Sequence, residues 1–140
     1  MRILVMNREN VINFCKMPHL GQFVIVSIST PHEDYDSAPF CGATNNVIDI
    51  CPVQFFDLDN TYPIKTGLMT KKDAQKIADF VSQYQDKIII VHCDAGQSRS
   101  AGIAAALSKY YNNDDSKYFY NSQFTPNMWC YRLMLNALME

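Results

Sequence analysis

The chain has 140 residues, of which 48% are hydrophobic, and it carries a formal net charge of −2 at pH 7. This length suits one compact domain, which we place over residues 1–140, and the hydrophobic fraction is sufficient to fill its core. Without a strong basic charge, nucleic acid is not an expected partner. The apolar run at residues 1–6 is too short for a signal sequence or a membrane span, so we expect a cytoplasmic protein that does not bind membranes.

Strands and a helix are predicted to alternate along the first half of the chain. Apolar runs indicate strands at residues 2–6 and 23–29, with a short helix at 9–16 between them. Residues 30–46 are polar and contain two prolines and a glycine, which favours a long loop. A strand is expected to follow at residues 47–58, with an interruption near Pro52.

The second half continues the alternation and ends in helices. Thr70 is a predicted N-cap of a helix whose apolar positions recur through Tyr84. The aliphatic run at 88–91 predicts a buried central strand, and the helix formers at 101–110 predict a helix after it. A short helix is expected to end near Tyr120, and the last helix, over 127–139, is expected to pack through Met128, Tyr131, Leu135 and Leu138. This order predicts an α/β fold, with a mostly parallel central sheet flanked by helices.

A cysteine follows the predicted central strand, and an arginine follows the cysteine six positions later. In a strand, loop and helix unit, the N–H groups at the helix start lack intrahelical partners and can converge on an anion. Both the helix N-terminus and a nearby cation favour the thiolate form of Cys93, and the guanidinium of Arg99 can hold two phosphate oxygens together. The pattern predicts a nucleophile in a phosphate-binding loop. The alternative is a small buried cysteine and an ordinary arginine on a helix surface.

Other residues of this segment suit the same geometry. Gly96 supplies the backbone freedom that a curled anion loop needs. A Ser100 hydroxyl bonded to the sulfur would stabilise the thiolate, although a serine in the first turn of a helix needs no such role. We therefore predict that the segment binds phosphate through His92, Asp94, Ala95, Gly96, Gln97, Ser98 and Arg99.

The run His92-Cys93-x5-Arg99-Ser100 resembles the cysteine-dependent protein-tyrosine and dual-specificity phosphatases. The core from Ala95 to Ser100 and the later Pro126-Asn127-Met128 resemble the short prokaryotic and viral members of that family. The resemblance extends from about Val53 to the C-terminus and is looser over the first third of the chain. It implies an α/β fold with the phosphate loop after the central strand, hydrolysis through a phosphocysteine intermediate, and a His92 that holds the loop by hydrogen bonds.

Such a mechanism needs a general acid, because an unprotonated alkoxide or phenolate departs poorly. Asp57 and Asp59 follow a predicted strand whose end faces the same crevice as the Cys93 loop. We rank Asp57 slightly above Asp59, while turn formation explains either carboxylate equally well. The single tryptophan is Trp129, so the Trp-Pro-Asp loop of larger tyrosine phosphatases is absent from this sequence. Nearby, Tyr62 and Pro63 are candidates to stiffen this loop or line the pocket.

The remaining cysteines do not suggest a metal site. Their spacings match no zinc motif, and His19 and His32 do not complete one. We expect reduced, mostly buried thiols and neither cofactor nor metal; a protective disulfide with Cys93 is the less favoured alternative. The five cysteines are Cys15, Cys41, Cys51, Cys93 and Cys130.

The sequence therefore predicts a phosphatase whose substrate is a phosphorylated protein or a small phosphomonoester. Phosphotyrosine is the expected substrate group, with phosphoserine and phosphothreonine as further ones. Two alternatives stay open: a sulfurtransferase or arsenate reductase, which also presents a loop cysteine to an oxyanion, and a non-catalytic module that binds phosphoproteins. The sequence leaves the oligomeric state undetermined.

Overall fold

The computed structural model describes residues 1–31, 46–59 and 66–140. Its strands are β1 (Ile3–Met6), β2 (Phe23–Ser29), β3 (Val47–Gln54) and β4 (Ile88–His92). Its helices are α1 (Arg8–Cys15), α2 (Lys71–Ser82), α3 (Arg99–Asn112), α4 (Ser116–Phe119) and α5 (Met128–Met139). The four strands form one sheet in the order β1-β4-β2-β3, and every pairing is parallel. The predicted α/β fold with a central sheet flanked by helices is confirmed.

The sheet separates two apolar layers, because successive residues of a strand point to opposite faces. On one face Val24, Val26 and Val91 pack in the larger core with α2, α3 and α5. On the other face Ile25 and Ile90 pack in a smaller core that includes Val11 of α1. The central strands β2 and β4 are buried on both faces, which explains their nearly continuous runs of Val and Ile.

Pro52 lies inside β3, which continues from Val47 to Gln54 without the predicted interruption. The strand tolerates proline because β3 is an edge strand, where one side of the backbone has no neighbouring strand to bond. The strand also ends four residues earlier than the predicted Leu58, since Phe55 leaves the sheet pairing.

The packing face of α5 was predicted in part: Leu138 lies in the core, and Tyr131 and Leu135 pack against it partly buried. The buried side chains of the helix are Cys130, Leu133, Met134 and Leu138, whereas Met128 is 38% exposed. Periodicity alone allowed two adjacent faces on this largely apolar helix, and contact with α2 and α3 selects between them.

Candidate active site

Four segments meet at one edge of the sheet, because parallel strands place all their carboxyl ends there. Arg8 comes after β1, Thr30 after β2, Phe55 and the segment beyond it after β3, and Cys93 after β4. Hydrogen bonds join all four segments, as the following contacts show. The predicted nucleophile therefore lies where the topology places a ligand crevice.

Cys93 follows the last residue of β4 directly, and its side chain is buried. Its Sγ lies 3.0 Å from the Oγ of Ser100, which is also buried, in the first turn of α3. A hydroxyl that donates to sulfur stabilises the thiolate, which is the nucleophilic form. The structure thus places the two residues as the sequence predicts.

The N-terminus of α3, which contains Ser100, lies beside this sulfur and has no side-chain cap. Ser98 occupies the N-cap position but makes no capping bond, and its hydroxyl donates instead to Oδ1 of Asp57 at 2.7 Å. The first N–H groups of a helix have no intrahelical partners. At α3 these groups and the positive end of the helix dipole are available to an anion.

Arg99 is the first residue of α3, which begins two residues before the predicted start at residue 101, and its side chain is almost fully buried. Its Nη1 donates to the Phe55 carbonyl at 2.8 Å and to Thr30 Oγ1 at 2.9 Å. Its Nη2 donates to Asp94 Oδ2 at 3.1 Å. These bonds hold the guanidinium beside the loop and exclude the alternative of an exposed helix arginine.

Gly96 has the left-handed backbone conformation, with φ of 69°. A Cβ at this position would lie 2.7 Å from the backbone N of Asn7 and 2.8 Å from the carbonyl carbon of Met6. Both the positive φ and the close approach of the β1–α1 junction therefore require glycine. This confirms the predicted need for backbone freedom at Gly96 and adds a contact that the sequence did not indicate.

His92 lies fully buried at the end of β4. Its Nε2 is 2.7 Å from Ser27 Oγ on the neighbouring strand, and its Nδ1 is 3.3 Å from the Cys93 carbonyl oxygen. Burial lowers the pKa of His92 to about 4. At neutral pH the ring is therefore uncharged, which suits a role in holding the loop.

Asp57 accepts hydrogen bonds from the Cys93 loop and from the residue that caps α5. Besides the Ser98 bond, its Oδ1 accepts from Nδ2 of Asn127 at 2.9 Å. Asn127 also donates to the Leu58 carbonyl at 3.1 Å and caps α5 through the Cys130 N–H at 3.0 Å. Its own N–H donates to the Ser98 carbonyl at 3.0 Å. Asn127 therefore connects the Asp57 carboxylate, the Cys93 loop and the start of α5.

Sequence reasoning missed several contributors to this site. Arg8 Nε donates to Asp94 Oδ1 at 3.0 Å, and the Thr30 hydroxyl donates to Asp94 Oδ2 at 2.9 Å. Ser27 and Asn127 were not predicted as site residues either. Only Asn127 is recognisable from its neighbours in the sequence, because asparagine before an apolar helix is a common N-cap. Arg8, Ser27 and Thr30 contact residues that are far away in the sequence.

The other described cysteines have different surroundings from Cys93. Cys51 and Cys130 are free, and burial raises the pKa of Cys51 to about 11 and that of Cys130 well above its ordinary value. Cys15 is disulfide-bonded, so the expectation of reduced thiols throughout was wrong. Sequence spacing does not show which cysteines come close in space. Because disulfides persist mainly in oxidising compartments, the cysteines lend no support to the predicted cytoplasmic location.

Neither a metal-binding cluster nor a membrane-spanning helix occurs among the described residues. Across residues 1–31, 46–59 and 66–140, no group of three His, Cys, Asp or Glu side chains is placed to hold a metal ion. No helix in the same part of the chain is long and apolar enough to span a bilayer. The predictions for His32, Cys41, Tyr62 and Pro63 lie outside the described residues.

Comparison with known proteins assigns the fold. No protein-family model matches the chain, and no curated protein matches it in sequence. Among solved structures, PTPMT1 is similar with a TM-score of 0.57 and 19% identity, over 99% of this chain and 90% of that one. PTPMT1 in complex with PI(5)P and Tk-PTP in the active form each reach 0.56 with the same coverage, at 18% and 12% identity. The chain therefore has the phosphatase-like α/β fold of PTPMT1 and Tk-PTP.

Proposed function

We propose that this protein is a cysteine-dependent phosphatase that hydrolyses phosphotyrosine in proteins, and also phosphoserine and phosphothreonine. The observation that carries the proposal is the 3.0 Å contact between Cys93 Sγ and Ser100 Oγ at the start of α3. Arg99 and Asp57 are both bonded to the same loop. A nucleophile, an anion-binding cation and a carboxylate around one helix N-terminus form the set that phosphoryl transfer requires. The fold shared with PTPMT1 and Tk-PTP supports the same class of chemistry.

In the first half of the reaction the Cys93 thiolate attacks phosphorus. The S–P bond forms as the ester P–O bond breaks, and the leaving oxygen takes a proton from Asp57. The side chain of Arg99 and the N–H groups at the start of α3 stabilise the equatorial oxygens of the phosphoryl group. No metal is required in this proposal, because these groups offset the phosphate charge.

In the second half a water molecule hydrolyses the phosphocysteine. The Asp57 carboxylate takes a proton from the attacking water, and the S–P bond breaks. The sulfur leaves as a thiolate, which the Ser100 hydroxyl stabilises across the 3.0 Å contact. The enzyme then returns to its starting protonation state and releases inorganic phosphate.

A small phosphomonoester is the second candidate substrate, because a structurally similar protein has been solved with one bound. One solved structure of PTPMT1 is a complex with PI(5)P. In this chain, however, the carboxylate of Asp94 stands beside Arg99, at 3.1 Å from Nη2. A fixed negative charge in the loop disfavours substrates that carry a second anionic group near the phosphate. We therefore place phosphoproteins first and expect slower turnover of PI(5)P than of a phosphotyrosine peptide.

Two other activities fit the residues less well. Arsenate reduction needs a resolving thiol. Among the cysteines that the structure describes, Cys15 is disulfide-bonded, and burial raises the pKa of both Cys51 and Cys130, which makes these two thiols poor nucleophiles at neutral pH. A non-catalytic phosphoprotein-binding module needs no nucleophile supported by a hydroxyl and no carboxylate on the loop. It would bind a phosphopeptide without releasing phosphate.

The first experiment removes the nucleophile and the hydroxyl beside it. Cys93→Ser should reduce phosphate release from a phosphotyrosine peptide at least about a thousandfold. Ser100→Ala should slow the second step, so a burst of product should precede turnover and mass spectrometry should detect a phosphoryl group on Cys93. Cys51→Ala, which removes a free cysteine outside the site, serves as the control and should keep its activity. Undiminished activity of Cys93→Ser, or a wild-type protein that binds the peptide without hydrolysis, would refute the proposal.

A further inference from the structure

Asp94 is an acidic residue inside a loop that is otherwise arranged to bind an anion. Its side chain is only 40% exposed, and its carboxylate lies between two guanidinium groups. Arg8 Nε and Nη2 reach Oδ1 at 3.0 Å each, and Arg99 Nη2 reaches Oδ2 at 3.1 Å. The Arg8 backbone N–H also donates to the Asp94 carbonyl at 3.1 Å. A side chain with this many directed contacts has a defined orientation.

The contacts of Arg99 determine which edge of its guanidinium is available. A guanidinium has five N–H donors in a fixed plane. Here both Nη1 donors go to Thr30 and the Phe55 carbonyl, and one Nη2 donor goes to Asp94. Among the contacts of the described residues, this leaves the Nε donor and the second Nη2 donor, which are parallel along the Nε–Nη2 edge of a guanidinium and can bind two oxygens of one phosphate.

We propose that Asp94 is a positioning residue for Arg99 and that it also weakens the affinity of the loop for free phosphate. The carboxylate fixes the plane of the guanidinium, so the correct edge faces the transferring phosphoryl group. Arg8 acts through Asp94, by holding its other oxygen, and does not touch the substrate. This inference rests on the function proposed above and deepens it.

The two effects of Asp94 act on different quantities. A fixed guanidinium needs no reorganisation in the transition state, which raises kcat. A negative charge within a few ångströms of the bound anion opposes ground-state binding of any phosphate. Together they favour rapid reaction followed by release of inorganic phosphate, instead of tight retention of the product.

The test separates binding from turnover. In Asp94→Asn, which keeps one acceptor oxygen but removes the charge, kcat for 4-nitrophenyl phosphate should fall about tenfold or more. In the same variant inorganic phosphate should bind about twofold to tenfold more tightly, as measured by calorimetry. Asp86→Asn is the matched control, because it also removes a carboxylate paired with a cation, Lys87, elsewhere on the surface; both quantities should stay unchanged.

A double variant tests whether Arg8 acts through Asp94. Arg8→Met alone should lower kcat, and Arg8→Met with Asp94→Asn should be no slower than Asp94→Asn alone. Phosphate affinity of the double variant should return to within about twofold of the wild type, since one charge of each sign has been removed. If the fold losses of kcat in the two single variants multiply in the double variant, Arg8 acts independently of Asp94, and the role proposed for Arg8 is wrong.

Outcomes for Asp94→Asn also decide the inference. Unchanged kcat, or a parallel loss of kcat and of phosphate affinity, would overturn it, because the latter indicates a damaged loop. Circular dichroism and thermal melting show whether Asp94→Asn folds. If it does not fold, Thr30→Val is the replacement variant, because the Thr30 hydroxyl contacts both Asp94 and Arg99. Thr30→Val should lower kcat without weakening phosphate binding, and a loss of both would again refute the proposal. Calorimetry needs no turnover, so it tests the loop even if the wild-type protein proves not to be a phosphatase.

Discussion

Asp57 and Asp59 are two positions apart, and a hydrogen bond from Ser98 connects Asp57 directly to the loop of Cys93. Ser98 and Asn127 both donate to its Oδ1, at 2.7 and 2.9 Å. A general acid needs one oxygen for the proton, and in this arrangement Oδ2 is the oxygen that can carry it. The choice of acid stays a prediction, and these hydrogen bonds strengthen the preference for Asp57.

Replacing each carboxylate by its amide distinguishes the two. Asp57→Asn should lower kcat for a phosphotyrosine peptide by about a hundredfold to a thousandfold, because the leaving phenolate then departs without a proton. The loss should be smaller for 4-nitrophenyl phosphate, whose more acidic phenol needs less protonation. Asp59→Asn should stay within about threefold of the wild type. A larger loss in Asp59→Asn would reverse the assignment.

At the scale of elements, the loop from Cys93 to Ser98 is held from both sides by backbone contacts. Gly96 packs on the β1–α1 junction, where its Cα leaves no space for a side chain. On the other side Thr125 N–H donates to the Gln97 carbonyl at 2.8 Å, and Asn127 N–H donates to the Ser98 carbonyl. The curvature of the loop therefore depends on its neighbours as well as on its own residues.

Adding one methyl group at Gly96 tests this dependence. Gly96→Ala should reduce the free energy of unfolding by about 2 kcal/mol or more, because it adds a steric clash to the cost of a positive φ. Gly21→Ala is the matched control: φ there is 97°, but a Cβ would meet its nearest atom, Ile88 Cδ1, at 3.4 Å. Its cost should be limited to about 1 kcal/mol. Urea unfolding measures the free energy of unfolding of both variants. Equal losses of stability in Gly96→Ala and Gly21→Ala would show that the contact with the β1–α1 junction is unimportant.

At the scale of the whole molecule, a histidine is fully buried at the end of the central strand β4. His92 on β4 pairs in register with Ser27 on β2, and both are buried. Burial disfavours the charged imidazolium, so the pKa of His92 falls to about 4 in the folded protein. In the unfolded chain a histidine titrates near its ordinary value of about 6.5.

This difference makes the stability of the whole fold depend on pH. Between about pH 6.5 and pH 4 the unfolded chain binds a proton at His92 that the folded protein does not, so the stabilisation is complete above this range and is lost as the pH falls. The free energy of unfolding should fall by up to about 3 kcal/mol from this group.

Urea unfolding at a series of pH values should show this slope, and His92→Asn should reduce it. An NMR titration of the His92 ring in the wild-type protein gives an independent measurement. A ring that titrates near pH 6.5 in the folded state would contradict the prediction.

Much of the fold was predictable because local patterns carry it. The β-branched runs at 23–29 and 88–92 form the two central strands, and Thr70 caps α2 through a reciprocal bond with Asp73. Cys93, Gly96 and Ser100 were predictable because they lie within one short segment. The error at Pro52 arose because strand position within the sheet, which decides whether proline is tolerated, is not a local property.

By itself, the sequence determined most of the elements, their order, and a cysteine and an arginine at the two ends of one loop, because propensity, side-chain periodicity and short spacing act over a few residues. The tertiary structure alone decided that Arg8 meets Asp94, 86 positions away, and that Asn127 meets Asp57, 70 positions away. Arg8 meets Asp94 because β1 pairs with β4, so that both residues follow strands that end at one edge of the sheet. Asn127 meets Asp57 because the start of α5 lies beside Ser98 at the start of α3. Strand order is a result of packing the whole chain, and no local pattern records it.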